Sequence, residues 1–299
     1  MKQPSSVCVR VPGSTSNLGP GFDTLGIALR VYNKVRVTVA EGKGPDIVSP
    51  IPDDARPGAT KLIAEASRLF FRKARAKAFG FDVYLSGDVP IARGLGSSVT
   101  VRLGVMAALN ELSGAALSRQ QLFELVTELE GHPDNAAPAT FGAFTASTMI
   151  GREARCVRLK VPPAFRFVTL IPNFEIETAA ARKLVPDTFS KADTVHNITR
   201  VSLITAAFAR GDAEALRGAF SDKVHQPYRE KLIPQLSKVI RAGERAGAVG
   251  GWLSGSGSTI MCLTTRNADA VAKAMARQLP GSETRILAAD STGFRIEGV

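Results

Sequence analysis

Cysteine is scarce. The 299 residues hold three, Cys8, Cys156 and Cys262, far apart and without a CxxC spacing, which argues against both a disulfide framework and a cysteine-built zinc site. Aromatic residues make up only 6% of the chain, too few for the stacking platforms that hold single-stranded nucleic acid. No stretch approaches the roughly 20 consecutive apolar residues that a bilayer-spanning helix needs. The N-terminal Met1-Lys2-Gln3-Pro4-Ser5 lacks the apolar core of an export signal, so a cytoplasmic protein with no membrane partner is expected. Internal repeats, low-complexity tracts and Lys/Arg runs are absent as well. Basic residues outnumber acidic ones by 38 to 27, for a formal net charge of +11, but the excess is dispersed. A diffuse positive field suits a nucleoside triphosphate, and without basic runs or aromatics nucleic acid is not the expected partner.

What is present is ordinary for a folded protein, with 44% hydrophobic and 22% charged residues and enough length for one large or two medium domains. Val7, Val9 and Val11 alternate with polar neighbours as in a strand, and so do Val35, Val37 and Val39. Helical periodicity predicts helices over about 61–77, 98–112 and 119–130, the last opened by the capping-box pair Ser118 and Gln121. Phe81, Val83 and Leu85 form a strand between the first two. The element order restarts near Pro162-Pro163, which sets domains at 1–160 and 161–299. Strands at 165–171 and 260–263, helices at 178–184, 194–210, 232–246 and 268–279, and closing strands at 285–288 and 294–296 follow. Strands and helices interleave without strict β-α alternation, so the class is α+β.

Three glycine-rich loops interrupt this pattern. Pro90-Ile91-Ala92-Arg93-Gly94-Leu95-Gly96-Ser97-Ser98 lies between a strand and a helix, where glycines let the backbone approach an anion and the helix start points free N–H groups at it. It is not a Walker A loop, because no Gly-Lys-Ser/Thr follows, and Val99 stands where a dinucleotide fingerprint needs a third small residue. Alone, the segment reads equally as a tight turn with a serine cap. Asn17-Leu18-Gly19-Pro20-Gly21-Phe22-Asp23 and Leu253-Ser254-Gly255-Ser256-Gly257-Ser258 are the other two loops. Helix 119–130 ends in Glu128 and Glu130, acids that oppose the helix dipole. Such a carboxylate is either solvated at small cost or kept as a Mg²⁺ ligand beside the phosphate loop. Gly131-His132-Pro133-Asp134-Asn135 follows, with more hydrogen-bonding side chains than a turn requires.

The three loops, taken in chain order, resemble the three motifs of the GHMP kinases. Glu130-Gly131-His132-Pro133-Asp134-Asn135, Thr178 with Ala181-Arg182, and Gln226-Pro227-Tyr228-Arg229 are similar to the homoserine kinase family within that class, and the resemblance covers essentially the whole chain. It implies an N-terminal domain like domain 2 of ribosomal protein S5, a ferredoxin-like C-terminal domain, a site in the cleft between them, and a homodimer. It also implies ATP as co-substrate, bound by Pro90, Ile91, Ala92, Arg93, Gly94, Leu95, Gly96, Ser97, Ser98, Val99 and Thr100, with Mg²⁺ on Ser98 and Glu130. L-homoserine falls to Asn17, Asp23, His132, Asp134, Asn135, Thr178, Arg182 and Arg229, with Asp23, Asn135 and Arg182 closest to catalysis. Within that set an amino-acid substrate wants an acid for its ammonium, Asp23, and an arginine for its carboxylate, Arg182 or Arg229. Val99-Thr100 departs from the family's Ala-Ala, and Ser258 from its proline. Two other readings stay open at this level: a GHMP kinase for another alcohol, such as mevalonate or a sugar, and a non-catalytic nucleotide- or RNA-binding protein on the same scaffold.

Overall fold

The computed structural model describes residues 4–42 and 44–298. Met1 to Gln3, part of the N-terminal stretch read for an export signal, lie outside the described residues. The first half runs β1 (Ser6–Ser16), β2 (Leu25–Val39), β3 (Pro45–Ile47), α1 (Arg56–Ala74), β4 (Phe81–Gly87), α2 (Ser97–Ser113), α3 (Arg119–Glu130), α4 (Ala136–Phe141), β5 (Phe144–Ile150) and β6 (Glu153–Leu159). The second runs β7 (Arg166–Ile171), α5 (Thr178–Lys183), α6 (Lys191–Arg210), α7 (Gln226–Arg229), α8 (Leu236–Arg245), β8 (Gly250–Leu253), β9 (Ile260–Thr264), α9 (Ala268–Ala276), β10 (Glu283–Leu287) and β11 (Arg295–Gly298).

The first sheet has the order β11-β1-β2-β4-β3, and the long β2 also pairs β5, which carries β6. The chain leaves this sheet after Leu159, and its last strand returns to pair antiparallel with β1. The second sheet has the order β10-β7-β9-β8, with helices between β7 and β8 and between β9 and β10. That is the ferredoxin-like arrangement of a split βαβ. Alternation builds both sheets: Val7, Val9, Val11, Val35 and Val37 are fully buried and pack with α1 and α2.

Local chemistry explains where the elements differ from the sequence expectation. Helix α1 begins five residues earlier than periodicity suggests, because Pro57 suits a helix's first turn. Helix α6 starts at Lys191 because the Ser190 hydroxyl accepts the Asp193 N–H. Helix α8 starts only at Leu236, after Pro234. The β5–β6 hairpin and the short α4 had not been anticipated, since arginines mask the alternation of β6 and Pro138 sits inside α4.

A second apolar cluster crosses between the halves. Leu18, Leu25, Ile27, Leu95 and Phe144 pack with Phe165, Phe167, Phe208, Phe220 and Trp252. Phe144 stacks on Phe208 and Phe220 on Trp252, and the Trp252 indole N–H donates to Thr15 Oγ1 at 2.9 Å. Burial of several aromatic side chains in a shared core fixes the two sheets against each other. The glycine loops at their facing ends are therefore held at set separations. Among the described residues no helix is long and apolar enough to cross a membrane.

Candidate active site

The loop between β4 and α2 is shaped by two left-handed glycines, Gly94 (φ 75°) and Gly96 (φ 71°). Gly96 caps α2 without any side-chain hydrogen bond to the helix start, and no acid lies in the first turn. The N–H groups of Ser97, Ser98 and Val99 are thus left for a ligand, at the positive end of a 17-residue helix. A Cβ on Gly94 would lie 2.2 Å from the Ser254 carbonyl oxygen. The third glycine loop is packed that closely against the first helix-opening loop, and Ser254 Oγ ties them by donating to Gly94 O at 2.6 Å.

Glu130 stands at the rim of this cradle. Its Oε2 accepts the Ser98 hydroxyl at 3.2 Å, while Oε1 takes Arg102 at 2.5 Å. Arg102 also holds Glu65 at 2.7 Å. The unfavourable dipole position of Glu130 is therefore offset by a guanidinium, which sequence reasoning missed. Glu128 turns the other way, to Lys73 at 2.9 Å on the surface, and is no neighbour of the phosphate loop.

A cavity of about 260 Å³ opens beside the cradle. Asn17, at φ 70°, is buried: its Oδ1 accepts the Asp23 N–H and its Nδ2 donates to Gly255 O, both at 3.1 Å, which leaves one donor and one acceptor position of the amide over. Asp23 is gripped by Arg182 through two bonds of 2.7 and 2.9 Å. The two residues for which separate roles are expected thus form a mutual ion pair, with Asp134 adding to the field at Arg182. The Arg182 guanidinium is held above its ordinary value, chiefly by this bond. His132 Nδ1 meets Asp134 Oδ1 at 2.6 Å. Burial alone would depress the imidazole, but the Asp134 carboxylate, and then Asp23, outweigh it and raise it. Burial pushes Asp134 up, and the bonds to His132, Ser16 and Asn135 more than reverse this, holding it below the usual range. Asp23, His132 and Asp134 lie close enough to share a cation, but Arg182 already spans both oxygens of Asp23.

Arg229 differs from Arg182. It is 2% exposed, its Nη1 donates to Gly255 O at 2.9 Å and approaches His225 Nδ1 at 3.3 Å, and among the described residues no acid lies within ion-pair distance. Burial first, and then Arg182, depress it to about 10. The guanidinium groups of Arg182 and Arg229 both lie about 5 Å from the Phe22 ring centre, at 5.2 and 5.1 Å. His225 stacks on the same ring and bonds Gly19 O at 2.8 Å. Thr178 closes the mouth, its hydroxyl 3.2 Å from that of Ser256.

Not every predicted residue arrives at the cleft. Arg93 lines the cleft, but its guanidinium is also bound to the Pro172 and Asn173 carbonyl oxygens and to Glu175, so it latches the two halves together. Leu95 is buried in the shared core, and Thr100 is buried with its hydroxyl spent on Ser97 O and Asn33. Pro90 lines a neighbouring surface depression, while Ile91, Ala92 and Val99 line the cleft. Ser14, Ser16, Phe22, Leu62, Ile176 and His225 are the residues sequence reasoning missed. Only their place beside a recognised loop could have signalled the first three.

Comparison with known proteins follows the same outline. Residues 61–143 match the family described as GHMP kinases N terminal domain, and residues 204–281 match GHMP kinases C terminal. The homoserine kinase of Clostridium kluyveri is 35% identical over 98% of this chain and 99% of its own length, and that of Moorella thermoacetica 38% over 90% of each. The crystal structure of homoserine kinase from Cytophaga hutchinsonii superposes with a TM-score of 0.88 at 25% identity, covering 99% of this chain and 98% of that one. L. major mevalonate kinase, at 16% identity, a TM-score of 0.74 and 95% of each chain, shares the fold.

Proposed function

The chain belongs to the homoserine kinases of the GHMP kinase family, and on that premise we propose that it transfers the γ-phosphoryl group of ATP to the side-chain hydroxyl of L-homoserine, giving O-phospho-L-homoserine for threonine biosynthesis. The observation that carries the substrate assignment is the charge pattern beside the phosphate cradle: an acid, Asp23, paired to Arg182, and a second arginine, Arg229, buried with no acid within ion-pair distance among the described residues. That pattern complements a zwitterion. The substrate ammonium takes Asp23 and its carboxylate takes Arg229, with Arg182 shared between Asp23 and the carboxylate.

Phosphoryl transfer needs mainly positioning and charge neutralisation. The free N–H groups of Ser97, Ser98 and Val99 receive the phosphates, in the domain expected at residues 1–160, whose sheet the last strand also joins. Ser98 and Glu130 fit a Mg²⁺ that keeps most of its ligands from phosphate and water, because a single carboxylate oxygen and a hydroxyl converge there. When bound, the ion supplies neutralising positive charge at the phosphate oxygens. Asn135 orients the acceptor hydroxyl. The oxygen of that hydroxyl forms the new bond to the γ-phosphorus as the bond to the ADP oxygen breaks, and the hydroxyl proton leaves to a phosphate oxygen. Asp23 is a poor general base here, since Arg182 engages both of its oxygens. The homodimer implied by family resemblance belongs to this reading and is decided by light scattering.

The test is ADP release with MgATP and L-homoserine, L-threonine, L-serine or mevalonate. Turnover led by homoserine is expected. A folded, ATP-binding protein that releases no ADP with homoserine would overturn the assignment, and preference for mevalonate would move the chain to another alcohol.

A further inference from the structure

Ser14 lies on β1, fully buried, between the phosphate loop and Asn135. On one side its N–H donates to Leu95 O at 3.0 Å, and a Cβ on Gly96 would come within 2.4 Å of its Oγ. On the other side its Oγ donates to Asn135 Oδ1 at 2.8 Å. The Asn135 Nδ2 donates to Ser16 Oγ at 3.0 Å and lies 3.3 Å from Asp134 Oδ1. An ionised Asp134 tolerates an amide N–H at that distance and not a carbonyl oxygen. This fixes which end of the amide faces which way. The Asn135 carbonyl therefore points toward Ser14 and the glycine loop, and of its two acceptor positions Ser14 fills one.

We propose that Ser14 is a positioning residue for phosphoryl transfer: its hydroxyl locks the Asn135 carbonyl while its backbone abuts the phosphate loop, so that the second acceptor position of Asn135 holds the substrate hydroxyl in line with the phosphoryl group. The proposal rests on the reading of Asn135 as the group that orients that hydroxyl. Without the Ser14 hydroxyl the amide plane is held from one end only and rotates more freely about its last side-chain bond. Contacts to the zwitterion and to the nucleotide phosphates are untouched. The cost falls on the fraction of complexes aligned for reaction, and so on kcat.

The experiment is a kinetic double-mutant cycle of Ser14→Ala and Asn135→Ala, with Ser14→Thr as the variant that keeps the hydroxyl. Ser14→Ala is expected to lower kcat about tenfold, the factor that one modest hydrogen bond can supply, with KM for homoserine and for ATP within about twofold of the parent. In the Asn135→Ala background the same change should cost nothing further, and Ser14→Thr should recover most of kcat. Equal losses in both backgrounds would overturn the proposal and make Ser14 a packing residue. So would an effect confined to KM. Parent-like kcat in Asn135→Ala alone would remove the Asn135 reading itself, a result distinct from an essential Asn135 beside a silent Ser14.

Discussion

Replacing Arg229 by methionine keeps the length and apolar stem of the side chain and removes a buried cation of the cleft that, among the described residues, has no acid within ion-pair distance. In the empty protein two effects oppose. The bonds to Gly255 O at 2.9 Å, Ala181 O at 3.4 Å and His225 Nδ1 at 3.3 Å are lost, each worth up to about 1.5–3 kcal/mol for a charged donor, while the cost of keeping a guanidinium out of water, several kcal/mol, disappears. The melting temperature should therefore stay within a few degrees of the parent, since about 1 kcal/mol moves a chain of this size by roughly 2–4 °C. Binding has no such compensation. A charge-assisted bond to the substrate carboxylate at about 1.5–3 kcal/mol predicts a fall in kcat/KM for homoserine of roughly tenfold to 150-fold. The assay is ADP release with homoserine and with 3-aminopropan-1-ol, which lacks the carboxylate, measured side by side on parent and variant. The variant should lose its preference for homoserine while its weak turnover of the amino alcohol is unchanged. Lysine at 229 should restore part of the loss, because an ammonium cannot make the planar two-pronged contact of guanidinium. Equal fractional losses on both acceptors would refute the reasoning and assign Arg229 to the phosphoryl side or to the scaffold.

Glu130→Gln should abolish most turnover and weaken Mn²⁺ binding measured directly in the presence of ADP, while lowering stability by about 1–3 kcal/mol, because the Glu130–Arg102 pair is nearly buried but Arg102 keeps its bond to Glu65; parent-like metal binding would free Glu130 from the metal role. Gly94→Ala should destabilise the protein by at least about 2 kcal/mol in urea titration and weaken nucleotide binding, since φ is 75° and the new Cβ would sit 2.2 Å from Ser254 O; a neutral alanine would mean that the two loops separate freely. Stability should fall from about pH 6.5 down to about pH 4, because burial depresses His225 to about 4, so the unfolded chain takes up a proton that the folded one refuses until then, at a cost of at most ~3 kcal/mol. His132 acts in the opposite sense, its raised folded value giving stabilisation that is full below about 6.5 and is lost as pH rises through it. Urea midpoints across pH 4–8 should show both, and His225→Gln should flatten only the acid limb; an unchanged acid limb in that variant would place the loss elsewhere.

The loops were legible in the sequence because their chemistry is local. A glycine that must take a left-handed φ, as Gly94 and Gly96 do, cannot be replaced cheaply, and a helix start needs no distant partner to offer its N–H groups. Valine alternation likewise declared β1 and β2, and Ser118 with Gln121 declared the start of α3, whose capping box forms as read. Charge was another matter. Ion pairs form through space, so nothing near Asp23 in the chain indicates that Arg182, 159 residues on, will take both of its oxygens. Nor does anything near Glu130 point to Arg102 and Glu65. Nor does the phosphate motif around Arg93 indicate that the carbonyl oxygens of Pro172 and Asn173, in the other half of the molecule, will bind its guanidinium while the residue lines the cleft. That Arg229 alone of the two site arginines stays without an acid depends on every neighbour packed around it. Local sequence chemistry determined the shape of the three glycine loops and the open helix start at Ser97, and the tertiary structure decided which charged side chains pair with one another around them.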